Sequence, residues 1–131
     1  MAPWSQQVAE ADLADAAAEA AVAFATEDGT LAVLVPHGRI DAVAAAVEER
    51  LPGASAGEPA DLSAGPVVLT AEVAKGLEFD SVLVVDPVGI AEEGVRGHND
   101  LYVVMTRATQ RLGVVHAGDL PQELSGLEPR P

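Results

Sequence analysis

Four short aliphatic runs, Leu31–Val35, Val67–Thr70, Ser81–Asp86 and Leu112–His116, limit what this chain can become. None alternates apolar with polar residues, so a strand made from any of them must be covered on both faces. The stretches between them carry helical rather than two-residue periodicity. Strands buried on both sides and separated by helices predict an α/β fold in three layers, a mostly parallel sheet with helices on both faces.

The helical stretches can be placed from the same pattern. Gln6–Thr26 is alanine-rich, with Ser5 as its expected N-cap and Gly29 just past its end. Leu13, Ala17, Ala20 and Phe24 share one face of that helix. Arg39–Leu51 repeats the pattern with Ile40, Val43, Val47 and Leu51, and Pro52-Gly53 stops it. Residues 52–66 read as a surface linker with room for a short strand. Gly89–His98 reads as a loop and Asn99–Gln110 as a helix, while the tail after His116 holds at most one or two helical turns. The expected organisation is an N-terminal helix over 1–30 packed on a core domain over 31–117, followed by a tail over 118–131.

Charge narrows the function classes. Seven Lys and Arg oppose 21 Asp and Glu, for a net charge of −14, and the single lysine is Lys75. A nucleic-acid surface gathers cations to replace phosphate counterions, so direct DNA contact is expected to be weak or none for the chain alone. The absence of cysteine excludes disulfides and thiolate metal sites and agrees with a reducing, cytoplasmic setting. No apolar run reaches the ~20 residues of a membrane span. His37, His98 and His116 are scattered, which argues against a metal centre.

Two segments place charges where a strand–helix scaffold does not need them. In Ala74–Asp80 (AKGLEFD), Gly76 permits a tight turn, Leu77 and Phe79 can anchor the loop, and Glu78 is left facing outward. In Leu101–Leu112 (LYVVMTRATQRL), Leu101, Met105 and Ala108 share one helical face, and Arg107 lies off it. Both segments are expected beyond the C-terminal ends of the strands, where open α/β sheets bind ligands. The plain alternative is an exposed loop charge and a solvated helical arginine.

In this order the two strings resemble the last two motifs of the UvrD/Rep-type superfamily 1 helicases. Leu31–Leu51 (LAVLVPHGRIDAVAAAVEERL) is similar to the strand and helix of that family's fourth motif. The resemblance covers Leu31 to the tail and implies a RecA-like fold, that of the second motor domain. It assigns Arg107 to the γ-phosphate of ATP held by a partner domain. Guanidinium suits this task, being always charged and able to grip two phosphate oxygens. Such arginine fingers accelerate phosphoryl transfer by roughly 10³–10⁵. The resemblance also puts Gly76 and Glu78 on the nucleotide side, near the ribose or a nucleotide-bound water. Thr70, Glu72 and Thr106 fall to the nucleic-acid or coupling surface.

The chain departs from the family in three places. Pro36 stands where an arginine usually follows the first strand, leaving Arg39 as the only nearby substitute. Glu72 replaces the usual histidine, and only residues 52–66 stand where unwinding members insert a large domain. These departures make it look most like the HelD branch, which implies RNA polymerase as a partner. No Gly-x-x-x-x-Gly-Lys-Ser/Thr loop is present, so ATP with Mg²⁺ would be held mainly by an N-terminal RecA-like domain outside this sequence. The chain alone is expected to be inactive. The alternative is a catalytically inactive helicase-like module that serves as a protein-interaction domain.

Overall fold

The aliphatic runs become parallel strands in the middle of a seven-stranded sheet. The computed structural model describes residues 4–25, 30–51, 54–56, 66–70, 79–92, 108–118 and 128–130. In chain order, β1 (Trp4–Gln7) leads through a 3-10 turn at Glu10–Asp12 into α1 (Leu13–Ala25). Next, β2 (Leu31–Val35) leads through a second such turn, His37–Arg39, into α2 (Ile40–Arg50). Then follow β3 (Ser55–Ala56), β4 (Val67–Thr70), β5 (Phe79–Val85), the short helix α3 (Pro87–Ala91), β6 (Ala108–His116) and β7 (Glu128–Arg130). The lateral order is β3-β4-β2-β5-β6-β1-β7, and every pairing is parallel.

Handedness decides which face each helix covers. The β1-to-β2 and β2-to-β3 connections travel the same way across the sheet, so right-handed crossovers put α1 and α2 on one face. The β5-to-β6 connection travels the opposite way and carries α3 to the other face. Burial agrees with this division. Leu31, Val33, Val35, Val68, Leu83, Val85 and Val115 join α1 and α2 in one core cluster, and the buried Pro87, Ile90 and Ala91 of α3 stand outside it. Ala32, Leu34, Val67, Leu69, Val82, Val84 and Val114 alternate with that set and are just as buried. Each fully buried Val or Leu contributes about 1.5–3 kcal/mol, which is why the strands read as unbroken aliphatic runs. The predicted three-layer α/β fold is the one observed.

The expected helical faces are present, with Leu13, Ala17, Ala20 and Phe24 of α1 and Val43 and Val47 of α2 all buried. Four boundaries differ, the first at Gly89–Ala91, which belong to α3 where a loop was expected. Residues 4–7 are a strand, not the approach to a helix with Ser5 as cap, and α1 begins only at Leu13 after an uncapped 3-10 turn at Ala9. Tertiary packing overrides helix propensity here. β1 pairs with both β6 and β7, and the Trp4 ring stacks on Phe24 with centroids 5.9 Å apart and planes 25° from parallel. At β6, Ala108–Gln110 are strand, where a helix through Gln110 was predicted. Their pairing with the start of β5 outweighs the helical spacing. At the tail, Glu128–Arg130 is a strand on the sheet's edge, supplied with a partner by the unpredicted β1.

Candidate functional site

All strands run the same way, so the sheet has one edge where strands begin and one where they end. The place to look first is the switch point, where neighbouring strands send their connections in opposite directions and a crevice opens beyond their C-terminal ends. Here that pair is β2, which leaves toward β3, and β5, which leaves toward β6. Here three charged side chains of the chain meet at it.

Asp86 follows β5 in the left-handed conformation, φ 57 and ψ 65, the only non-glycine residue with positive φ among those described. Aspartate tolerates that region better than most residues because its short side chain can bond locally. One of its carboxylate oxygens, Oδ1, accepts the Gly89 N–H at 3.2 Å and caps α3. The other, Oδ2, accepts Arg39 Nε at 2.6 Å, and Arg39 Nη2 reaches on to Glu10 Oε1. Glu10 comes just after β1, Arg39 just after β2 and Asp86 just after β5, so one guanidinium ties three strand exits together. The bond to Glu10, and after it Asp86, holds the Arg39 pKa above its ordinary value despite partial burial, which works the other way. Close approach also marks this point. A Cβ on Gly89 would lie 2.9 Å from the Pro36 ring and 2.9 Å from Asp86 Cγ.

Arg39, the one nearby substitute for the arginine that Pro36 replaces, is paired through Nε with Asp86 and through Nη2 with Glu10.

Of the predicted site residues, only Thr70 lies among those described. It closes β4 opposite Val35, 5% exposed, at the C-terminal edge. Glu72, Gly76, Glu78, Thr106 and Arg107 lie outside the described residues, as does Lys75. Their chain neighbours Phe79 and Ala108 are described. Phe79 follows Glu78 and Ala108 follows Arg107, and these two residues are paired across adjacent strands at the opposite edge, where β5 and β6 begin. Phe79 is fully buried, as an anchor should be.

The N-terminal edge has its own polar lattice. Thr30 sits just before β2. Its backbone N–H donates to Asp80 Oδ2 at 2.7 Å and its hydroxyl to the same oxygen at 3.3 Å. The hydroxyl oxygen accepts the Asp80 N–H at 3.1 Å, and the Thr30 carbonyl accepts the Ser81 N–H at 2.9 Å. Ser81 Oγ then accepts Arg111 Nη1 at 3.1 Å. Between Phe79 and Ser81 the β5–β6 register slips by one, because β6 uses the steps from Ala108 to Arg111 against two on β5. A bulge at such an edge re-aims the residues around it. Sequence reading missed Thr30, Asp80 and Arg111. Only Asp80, closing AKGLEFD, carried any signal, since its partner is 50 positions away.

Electrostatically, the outward faces of α1 and α2 are acidic. Asp15, Glu19, Asp41, Glu48 and Glu49 are exposed there, with Arg50 in a loose 3.8 Å approach to Asp15. Among the described residues no three His, Cys, Asp or Glu side chains gather to hold a metal, and no helix is long and apolar enough to cross a membrane.

Comparison with known proteins now bears on this geometry. Residues 67–115 match the family model of the UvrD-like helicase C-terminal domain. That span runs from the first residue of β4 almost to the end of β6 and contains Thr70, Glu72, Gly76, Glu78, Thr106 and Arg107. No curated protein matches the chain. Among solved structures, the C-terminal domain of a possible DNA helicase from Lactobacillus plantarum WCFS1 is similar, at 23% identity and a TM-score of 0.74. The match covers 95% of this chain and 78% of that one. The fold is therefore that of a helicase C-terminal domain, and β4 to β6 carry the sequence pattern that goes with it.

Proposed function

We propose that this chain is the second motor domain of an ATP-dependent superfamily 1 helicase or translocase. It completes, from the N-terminal edge of its sheet, an ATP site whose phosphate loop lies in a separate N-terminal RecA-like domain. One observation carries the reading: the pairing of Phe79 with Ala108, which makes the residues following Glu78 and Arg107 neighbours on adjacent strands. In this reading the partner domain holds ATP and Mg²⁺. Arg107 reaches the γ-phosphate, where its fixed charge offsets the negative charge spread over the transferring group. Gly76 and Glu78 meet the nucleotide side of the cleft, and Thr70, Glu72 and Thr106 relay its closure to the coupling surface. ATP draws the two domains together and hydrolysis releases them, a cleft-closing cycle that does mechanical work.

The target we favour is protein rather than a DNA track, in the manner of the HelD branch acting on RNA polymerase in the cytoplasm. A net charge of −14 and the acidic outer faces of α1 and α2 support that choice. The second reading, an inactive helicase-like interaction module, is favoured by the commitment of Arg39 to Glu10 and Asp86, which leaves no second phosphate arginine after β2. Joining the chain to its phosphate-loop domain and measuring ATP turnover separates the two. Arg107→Ala should lower turnover by two or more powers of ten, within the roughly 10³–10⁵ range of arginine fingers. Unchanged turnover would leave the interaction module as the answer.

A further inference from the structure

Among the described residues both edges of the sheet end in short strands, the two-residue β3 on one side and the three-residue β7 on the other. An uncovered strand edge is a row of N–H and C=O groups that another chain can pair with, so edges are commonly short or carry proline. β7 is Glu128-Pro129-Arg130, and it pairs with β1 through Trp4–Glu128, Ser5–Pro129 and Gln6–Arg130.

Which backbone groups face which way follows from the register. The Val8 N–H donates to the His116 carbonyl at 2.9 Å, continuing the β1–β6 ladder. Backbone groups alternate sides along a strand, so Trp4 and Gln6 also turn theirs to β6, and Ser5 and Gln7 turn theirs to β7. In a parallel pair the partner of an inward-facing residue faces away. Glu128 and Arg130 therefore direct their N–H and C=O at β1, and Pro129 directs its own outward. Proline thus occupies the one position of β7 where a missing N–H costs no bond to β1. The same position would have to donate to any strand laid along the outer side. β1, by contrast, is made as an interior strand, with Trp4 and Ser5 both buried. Without β7 it would offer the Ser5 and Gln7 groups as a regular edge.

We propose that β7 is an edge guard: it covers the hydrogen-bonding edge of β1, turns a proline outward, and so keeps the chain from pairing strand to strand with a second copy of itself. A second copy fits that edge because two β1 edges related by a twofold axis are the same surface and can exchange the Ser5 and Gln7 bonds antiparallel.

The test keeps the full chain. Glu128→Pro with Arg130→Pro removes the N–H groups that face β1 and should release β7. Glu128→Ala with Arg130→Ala makes the same change of charge and keeps those groups. In sedimentation velocity, at concentrations where wild type and the alanine variant run as the 13.4 kDa monomer, the proline variant should run at twice that mass. Adding Gln7→Pro, at an exposed position whose N–H lies on the β7 side, should return it to the monomer. A proline variant that stays monomeric with the Trp4 emission of the folded chain refutes the guard, and so does association that survives Gln7→Pro. Should the proline variant lose its fold, hydrogen exchange in the wild type decides. The Ser5 N–H, turned to β7, should exchange at least ~10-fold faster than the Gln6 N–H, turned to β6, because a short edge strand opens locally. Equal protection of the two would mean that β7 does not leave by itself and would overturn the proposal.

Discussion

Gly113 lies in β6 directly opposite Trp4 in β1, and the indole occupies the space a side chain there would need. A single methyl group there gives a stringent test of how β1 is seated. A Cβ on Gly113 would stand 2.7 Å from Cε2 and 2.9 Å from Cη2 of the ring, and closer still to Cζ2. Carbon atoms pack at about 3.5–4.0 Å, so Gly113→Ala forces the ring away by close to 1 Å. It has little room to retreat, because Phe24 stacks on it and its backbone is paired on both sides. Overpacking of this kind costs about 1–3 kcal/mol, and replacing glycine within a strand returns up to about 1 kcal/mol of that. The net expectation is a loss of about 1–2 kcal/mol, or roughly 5 °C in Tm. Trp4 is the sole tryptophan, so urea unfolding followed by its fluorescence reports from the altered contact itself. Gly118→Ala is the control, since nothing lies within 4 Å of a Cβ there, and it should stay within about 0.5 kcal/mol of wild type. Equal stability of Gly113→Ala and wild type, with the same emission maximum, would mean that the ring is not seated on β6.

Other expectations follow from the same packing and charge. Gly89→Ala should cost about 1–3 kcal/mol in a urea melt, because its Cβ would collide with the Asp86 carboxylate and the Pro36 ring. Arg39→Met should destabilise by about 1.5–3 kcal/mol, the usual range for hydrogen bonds to charged groups, less whatever solvent screening removes. A guanidinium whose pKa is raised on folding stabilises below its unfolded pKa and loses that contribution only as pH climbs through the folded one. The Arg39→Met deficit should therefore be flat between about pH 6 and 9 in parallel melts, and a deficit that varied across that window would contradict the assignment. Magnesium-ATP titrated calorimetrically into the chain alone should show no saturable binding below millimolar concentrations, for want of a phosphate loop.

What the sequence disclosed and what it withheld divide along a physical line. Leu31–Val35, Val67–Thr70 and the core of β5 were legible because two-sided burial demands unbroken aliphatic residues, which is a local property. Leu13, Ala17, Ala20 and Phe24 were legible for the same reason at helical spacing. β1 was not. Ser5, Gln6 and Gln7 have no strand signature, and their conformation is set by β6 and β7 more than a hundred positions away. β7 is held by that same hidden strand, so missing one entailed missing the other. The start of β6 was misread because Ala108–Gln110 continue the helical spacing of the preceding residues, while pairing with Phe79 fixes them as strand. As for the site, its strings could be read from residue types, and of its predicted residues only Thr70 lies among those described.

Strand direction also decides which side chains meet at the switch point of this sheet. In an open parallel sheet the switch-point crevice is the natural seat for a phosphate, because strand ends and helix starts converge there. Here Arg39, Asp86, Glu10, Pro36 and the tight approach at Gly89 gather beside it. The closure uses a left-handed aspartate and a shared guanidinium, features costly enough that the surrounding structure must sustain them. A domain that bound its own nucleotide there would need the space and the cation free. Under the half-site proposal neither is needed, and the guanidinium that ties together the exits of β1, β2 and β5 braces that edge. The tie among Arg39, Glu10 and Asp86 at one edge and the Thr30–Asp80 bonds between the entrances of β2 and β5 at the other thus brace the same sheet at both ends.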